Sequence, residues 1–139
     1  MSKSQRDYTQ QATELFGRFA DRHGLRYEIG SDAPVEVWWS FPRQDKLSEE
    51  LTLALQNNDE LNFGVGKFWS YFFPFDSVCS DFEALLDDWI AGQARIQDYA
   101  FGTSVLEHRR DGSWLEIYSA HSLWPFRGRL VRTLQNRAA

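Results

Sequence analysis

The sequence predicts an α+β fold, in which a largely antiparallel sheet of about six or seven strands is covered by two main helices. Apolar residues spaced three and four apart indicate the helices, and strict apolar-polar alternation indicates the strands. Short turn-forming dipeptides between the alternating segments favour antiparallel hairpins. The expected order along the chain is α-ββββ-α-βββ-α, within a single domain that spans residues 1–139.

Three segments have the apolar spacing of an amphipathic helix. The first runs from Ser4 to Gly24, and this glycine suits the left-handed position that ends a helix. The second follows Ser80, which would form a capping box with Glu83, and it ends at Gly92. The third is short and close to the end of the chain, and its predicted inward-facing residues are Leu130, Val131 and Leu134.

The first group of strands is predicted from alternation. Residues 25–29 and 35–41 should form a hairpin across a turn rich in glycine, aspartate and proline. Residues 47–56 fit both a helical and a strand period, and the strands around them favour a strand. Residues 60–73 are predicted to be one long strand through the middle of the sheet, with a bulge or bend at Gly64 and Gly66.

The second group of strands contains the strongest local signal in the sequence. Residues 94–101 form a predicted strand, and Asp111-Gly112 then predicts a two-residue turn, because both positions of a type I′ turn need positive φ. This turn would set the register between the strands at 104–110 and 113–119. The expected opposed pairs are Arg109 with Trp114, Glu107 with Glu116, and Leu106 with Ile117.

Composition excludes several function classes. The formal net charge of -5 argues against general nucleic-acid binding, which depends on a basic surface. A single cysteine, Cys79, rules out an intrachain disulfide and fits a reducing compartment. The sequence shows no signal peptide and no apolar run of membrane-spanning length, so we expect a cytoplasmic protein without a membrane partner.

The histidines give no sign of a metal site. His23, His108 and His121 lie in separate predicted elements, and no spacing typical of zinc ligands connects them. We therefore predict no metal and no cofactor, and we nominate no catalytic residue.

An acidic helix is the first candidate functional feature. Residues 76–91 contain no lysine or arginine, and the carboxylates of the predicted helix are Asp81, Glu83, Asp87 and Asp88. Such a face is either an ordinary solvated surface or a docking patch, since an acidic field speeds association with a basic partner. Our leading hypothesis is a non-catalytic binding protein that docks a basic protein through these residues.

An aromatic pocket is the second candidate. Alternation along 68–73 separates Phe68, Ser70 and Phe72 from Trp69, Tyr71 and Phe73. The predicted pocket consists of Trp38, Trp69, Tyr71, Phe73 and Arg109. Core packing is the simpler explanation for many of these rings. The alternative hypothesis is a small-ligand-binding protein or enzyme, with Glu107, Glu116, His108 or Arg109 at the pocket mouth. Unpaired strand edges and abundant tryptophan also suggest a homodimer.

Overall fold

The protein contains two antiparallel sheets and two helices. The computed structural model describes residues 8–30, 36–121 and 125–137. The helices are α1 (Thr9–His23) and α2 (Phe75–Ile90). The first sheet has five strands in sequence order: β1 (Glu28–Ile29), β2 (Val37–Phe41), β3 (Leu51–Gln56), β4 (Glu60–Val65) and β5 (Phe68–Trp69). The second has four strands: β6 (Ala94–Tyr99), β7 (Ser104–Arg110), β8 (Ser113–Ala120) and β9 (Leu130–Gln135), in the spatial order β8-β7-β6-β9.

One face of the five-stranded sheet is buried, as the alternation predicts. On this face the buried side chains of the three main strands are Val37, Trp39, Phe41, Leu51, Leu53, Leu55, Leu61, Phe63 and Val65. The ambiguous segment 47–56 is therefore a strand in its second half. Helix α1 packs on this face through Leu15, Phe16 and Phe19. It ends at Gly24 with φ of 63°, which confirms the predicted stop, whereas the predicted start at Ser4 lies outside the described residues.

Helix α2 lies between the two sheets, in contact with β4 of the first and β6 of the second. Leu86 and Trp89 are fully buried there. The helix begins directly after Pro74, so the predicted capping box is wrong, and both of its residues lie inside the helix. The helix therefore starts before the predicted capping box, and its first residue, Phe75, is buried. The predicted end is confirmed, since Gly92 follows the helix with φ of 74°.

The prediction of one sheet with a long central strand at 60–73 is wrong. The chain turns back at Gly66, whose φ is 60°, and β5 pairs antiparallel with β4 at the edge of the first sheet. Alternation along the returning segment is nevertheless as predicted. Phe68 and Ser70 are buried, whereas Tyr71 and Phe73 are 42% and 58% exposed.

The predicted C-terminal helix is also wrong, because residues 130–135 form strand β9 along one edge of β6. Leu130 and Val131 are 44% and 57% exposed, and only Leu134 is buried. Their spacing fits a helix locally. Without β9, this edge of β6 would be unpaired. Its backbone groups therefore form hydrogen bonds with residues 130–135 that local spacing does not reveal.

The β7–β8 hairpin confirms most of the predicted register. Asp111 and Gly112 both have positive φ, and Glu107 lies opposite Glu116. A bulge between Leu106 and Glu107 then shifts the pairing, so that Leu106 lies opposite Tyr118. The predicted pairing of Leu106 with Ile117 is therefore wrong. A bulge places an extra residue in one strand, and no residue pattern in the hairpin predicts it.

Asn136 connects three parts of the fold just after β9. Its Oδ1 accepts the backbone N–H of Ser48 at 2.9 Å. Its Nδ2 donates to the carbonyl oxygens of Lys46 at 2.8 Å and Ile90 at 3.0 Å. Asn136 is only 5% exposed, so its side-chain amide has little access to water. Asn136 thus joins the chain before β3 to the end of α2.

We predict that Asn136→Ala lowers the free energy of unfolding by about 2 to 3 kcal/mol, because it removes hydrogen bonds from partly buried backbone groups of Ser48, Lys46 and Ile90. Urea denaturation measures the change. Gln93→Ala is the matched control, since this amide side chain is exposed, and its effect should stay within about 0.5 kcal/mol. Equal effects of the two substitutions would show that Asn136 is not a structural connection.

Candidate functional site

A groove with a cavity volume of about 420 Å³ lies between α2 and the β7–β8 hairpin. We call it the α2–hairpin groove. Its apolar lining includes Phe72, Val78, Phe82, Leu85 and Ile117. Its polar lining consists of Asp81, Asp88, His108, Arg110 and Glu116. The helical members recur three and four residues apart, which places them along one face of α2.

The polar residues of the groove differ in their pairing. Asp88 Oδ2 accepts a hydrogen bond from Arg110 at 2.8 Å, and His108 Nδ1 lies 3.9 Å from the same oxygen. Asp81 and Glu116 are exposed, and neither has a hydrogen bond or ion pair with another described residue. The groove therefore combines a neutralised pair at one position with two available carboxylates.

The two opposed glutamates of the hairpin have different environments. Glu107 accepts a hydrogen bond from Arg95 Nε at 2.8 Å, and the Arg95 guanidinium lies 4.0 Å from the centre of the Trp114 ring. Glu116 lines the groove instead. The two opposed glutamates thus differ, because Glu107 is paired with Arg95 whereas Glu116 has no such partner within the described part of the chain.

The other half of the predicted acidic face is occupied by α1. Glu83 forms ion pairs with Arg18 and Arg22, both at 3.0 Å. Asp87 Oδ1 contacts Arg22 at 2.8 Å and His23 Nε2 at 2.7 Å. Only Asp81 and Asp88 of the four predicted carboxylates line the groove.

The α1–α2 ion pairs shift the pKa values of both carboxyl groups. The hydrogen bond from Arg18 lowers the pKa of Glu83, burial raises it by less, and the bond from Arg22 lowers it further. Burial raises the pKa of Asp87, but hydrogen bonds from His23 and Arg22 bring it below its ordinary value. Both groups are therefore more stable as carboxylates in the folded protein than in the unfolded chain.

The predicted aromatic pocket is only partly assembled. The rings of Trp38 and Trp69 stack with centroids 5.6 Å apart, on the face of the first sheet opposite to α1. Tyr71 and Phe73 are exposed beyond Trp69 on the same returning segment. Arg109 lies in the second sheet, where it pairs with Trp114 across the hairpin. It is not among the residues that line the cavity beside the two tryptophans.

Two features of these sites were missing from the sequence reasoning. Arg18 and Arg22 are four residues apart on α1, as are Glu83 and Asp87 on α2. This matched spacing is a signal that could have revealed the pairing between helices. The role of Ile117 had no such signal, because it depends on the bulge in the hairpin.

Comparisons with other proteins do not assign the site. No protein-family model matches the chain, and neither the curated proteins nor the solved structures searched include a significant match. Among residues 8–30, 36–121 and 125–137, no group of three or more His, Cys, Asp or Glu side chains could hold a metal ion. In the same part of the chain, neither helix combines the length and apolar character needed to cross a membrane.

We predict that Glu83→Gln lowers the free energy of unfolding by about 1 kcal/mol near neutral pH, because it breaks a partly exposed ion-pair network. Since the folded-state pKa of Glu83 is depressed, its contribution is present above its ordinary value of 4.5 and is lost as the pH falls through the lower folded-state value. The deficit of the variant should therefore shrink in acid.

Chemical denaturation of both proteins between about pH 7 and pH 3 measures this dependence. Glu28→Gln is the control, because Glu28 is exposed and has no partner among the described residues. A deficit of Glu83→Gln that is the same at both ends of the pH range would contradict a stabilising role for the ionised carboxylate.

Proposed function

We propose that this protein is a non-catalytic binding protein whose α2–hairpin groove takes a basic segment of a protein partner. The observation that carries the proposal is the position of Asp81 and Glu116 on an apolar-lined groove, where neither carboxylate has a hydrogen-bond or ion-pair partner among the residues that the structure describes. A lysine or arginine side chain has an apolar stem and a cationic end, and it complements both parts of such a groove. Charge complementarity of this kind contributes to specificity and to association rate.

Ion pairs with α1 occupy part of the acidic helix, and the remaining part is the one that a partner can contact. Glu83 and Asp87 are engaged by α1, so a basic partner would compete there with arginines already in place. Asp81 has no such competitor among the described residues. The docking surface that we propose is therefore the α2–hairpin groove. It is smaller than the acidic face of four carboxylates that the sequence predicts.

The lining of the groove favours binding over catalysis. Arg110 occupies the Asp88 oxygen nearest to His108, and the 3.9 Å separation of that oxygen from the histidine exceeds a hydrogen bond. The aspartate therefore forms no hydrogen bond with the imidazole of the kind that orients a general base. No serine, threonine, tyrosine or cysteine is among the described residues that line the groove, so this part of the chain supplies it with no nucleophilic hydroxyl or thiol.

Two further hypotheses stay predictions. The single cysteine fits action in the cytoplasm. Formation of a homodimer is a separate hypothesis, and sedimentation of the purified protein would test it.

The double substitution Asp81→Lys/Glu116→Lys should weaken partner binding at least about tenfold, because it reverses the charge at both carboxylates. The control is Asp21→Lys/Glu28→Lys, which has the same change in net charge at one exposed helix position and one exposed strand position. Each protein is immobilised and exposed to an extract of the source cells, and the retained proteins are quantified by mass spectrometry. We expect a basic protein to be retained by the wild type and by the control, and to fall at least about tenfold with the groove variant.

Direct titration of the purified partner should then reproduce this ranking. Circular dichroism and thermal unfolding check that both variants remain folded, as expected for exposed positions. Equal retention by the two variants would contradict the groove as the binding site. Retention of acidic proteins alone would contradict the charge complementarity.

A further inference from the structure

Two indole rings are fixed against the outer face of the first sheet. The Trp69 ring covers Gly64, where an added Cβ would lie 2.5 Å from Trp69 Cε3. The Trp38 ring covers Gly30 in the same way, with an added Cβ 2.7 Å from Trp38 Cδ1. Only glycine leaves room for rings in these positions. The indoles therefore form a preorganised aromatic surface on the side of the sheet opposite to α1.

Polar groups surround this aromatic surface. A cavity of about 380 Å³ is lined by both tryptophans, by Gly64 and Gly66, and by Arg43, Glu49, Glu50 and Thr52. Arg43 lies 3.6 Å from Glu49 and has a largely exposed side chain. The side chains of Glu50 and Thr52 have no hydrogen-bond partner among the described residues. The surroundings thus offer donors, acceptors and a hydroxyl group that can act as either.

One of the two tryptophan N–H donors is already used. Trp38 Nε1 donates to Ser40 Oγ at 3.2 Å, so the indole is held by a hydrogen bond within its own strand. The two indoles stack on each other with centroids 5.6 Å apart and both remain partly exposed, so they offer a ligand the apolar ring surface that this stacking and the glycines leave uncovered. A ligand of this site therefore needs an apolar surface of its own in addition to polar groups at its edge.

We infer that this cavity binds a sugar, as a mono- or disaccharide. A pyranose ring has a flat face of C–H groups that packs on indole, and hydroxyl groups at its edge that both donate and accept hydrogen bonds. Arg43 complements the acceptors, while Glu49 and Glu50 complement the donors. A hydrocarbon would use none of these polar groups, and an anion would meet two carboxylates. This site is separate from the α2–hairpin groove, and the inference does not depend on the proposed function.

Saturation-transfer NMR with the purified full chain tests the inference. The probes are glucose, galactose, mannose, N-acetylglucosamine, cellobiose, maltose and lactose, with tetramethylammonium as a cationic comparison. We expect saturable transfer to at least one sugar, with the strongest transfer to the C–H protons of one ring face, as stacking on an indole requires. Trp69→Ala should abolish this signal.

Because Trp69→Ala also removes packing from the sheet, Glu50→Gln provides a second variant at an exposed position. It should weaken sugar binding by about tenfold, since it replaces a charged hydrogen-bond acceptor. The matched control is Glu14→Gln on α1, which should bind as the wild type does.

Three outcomes would overturn the inference. They are the absence of transfer to every sugar, binding that Glu50→Gln leaves unchanged in a folded protein, and binding of tetramethylammonium without any sugar. None of these outcomes bears on the α2–hairpin groove, so failure here leaves the proposed function to its own test.

Discussion

The burial of α2 between two sheets is the constraint on which the remaining structure depends. Each sheet has an apolar face, and α2 is the helix that contacts both through β4 and β6. Its buried side chains are Phe75, Phe82, Leu85, Leu86 and Trp89. Burial of one large apolar side chain stabilises a fold by about 1.5 to 3 kcal/mol. Burial of these side chains therefore holds the helix in one position. This position also determines which elements the charged side chains on its other faces contact.

The charged residues of α2 follow from this placement. One edge of the helix meets α1, where Glu83 and Asp87 form ion pairs with arginines. The opposite edge meets the β7–β8 hairpin, where Asp81 and Asp88 line the groove. The acidic residues of one helix thus have two different environments. One set forms ion pairs with α1, and the other set lines the groove. The bulge in the hairpin completes the groove, because Glu116 and Ile117 line it from the other side.

Local patterns predicted much of the fold, and non-local pairing accounts for the errors. Asp111-Gly112 determines its hairpin through its own backbone, so that turn and the register next to it were predictable. The turn at Gly66 and strand β9 depend on partners distant in sequence, and the alternation of a segment does not identify its neighbour. The division of the chain into two sheets has the same origin.

The candidate sites were predictable to a similar extent. The charge of α2 predicts Asp81 and Asp88 as site residues. The aromatic content of their strands predicts Trp38 and Trp69. Their neighbours in each site come from other elements, as Glu116 does in the groove and Glu50 beside the tryptophans. A single sequence reveals which residues are chemically suited to a site. It reveals poorly which elements the fold brings together, since that depends on the packing of both sheets around α2.

Hydrogen–deuterium exchange of the protein, alone and with a basic protein that it retains, measures whether the α2–hairpin groove is the docking surface that we propose. We predict slower exchange on complex formation in two segments, residues 78–88 of α2 and residues 113–118 of β8, because these elements line the groove. Slower exchange confined to α1 or to the outer face of the first sheet, with both groove segments unchanged, would contradict it.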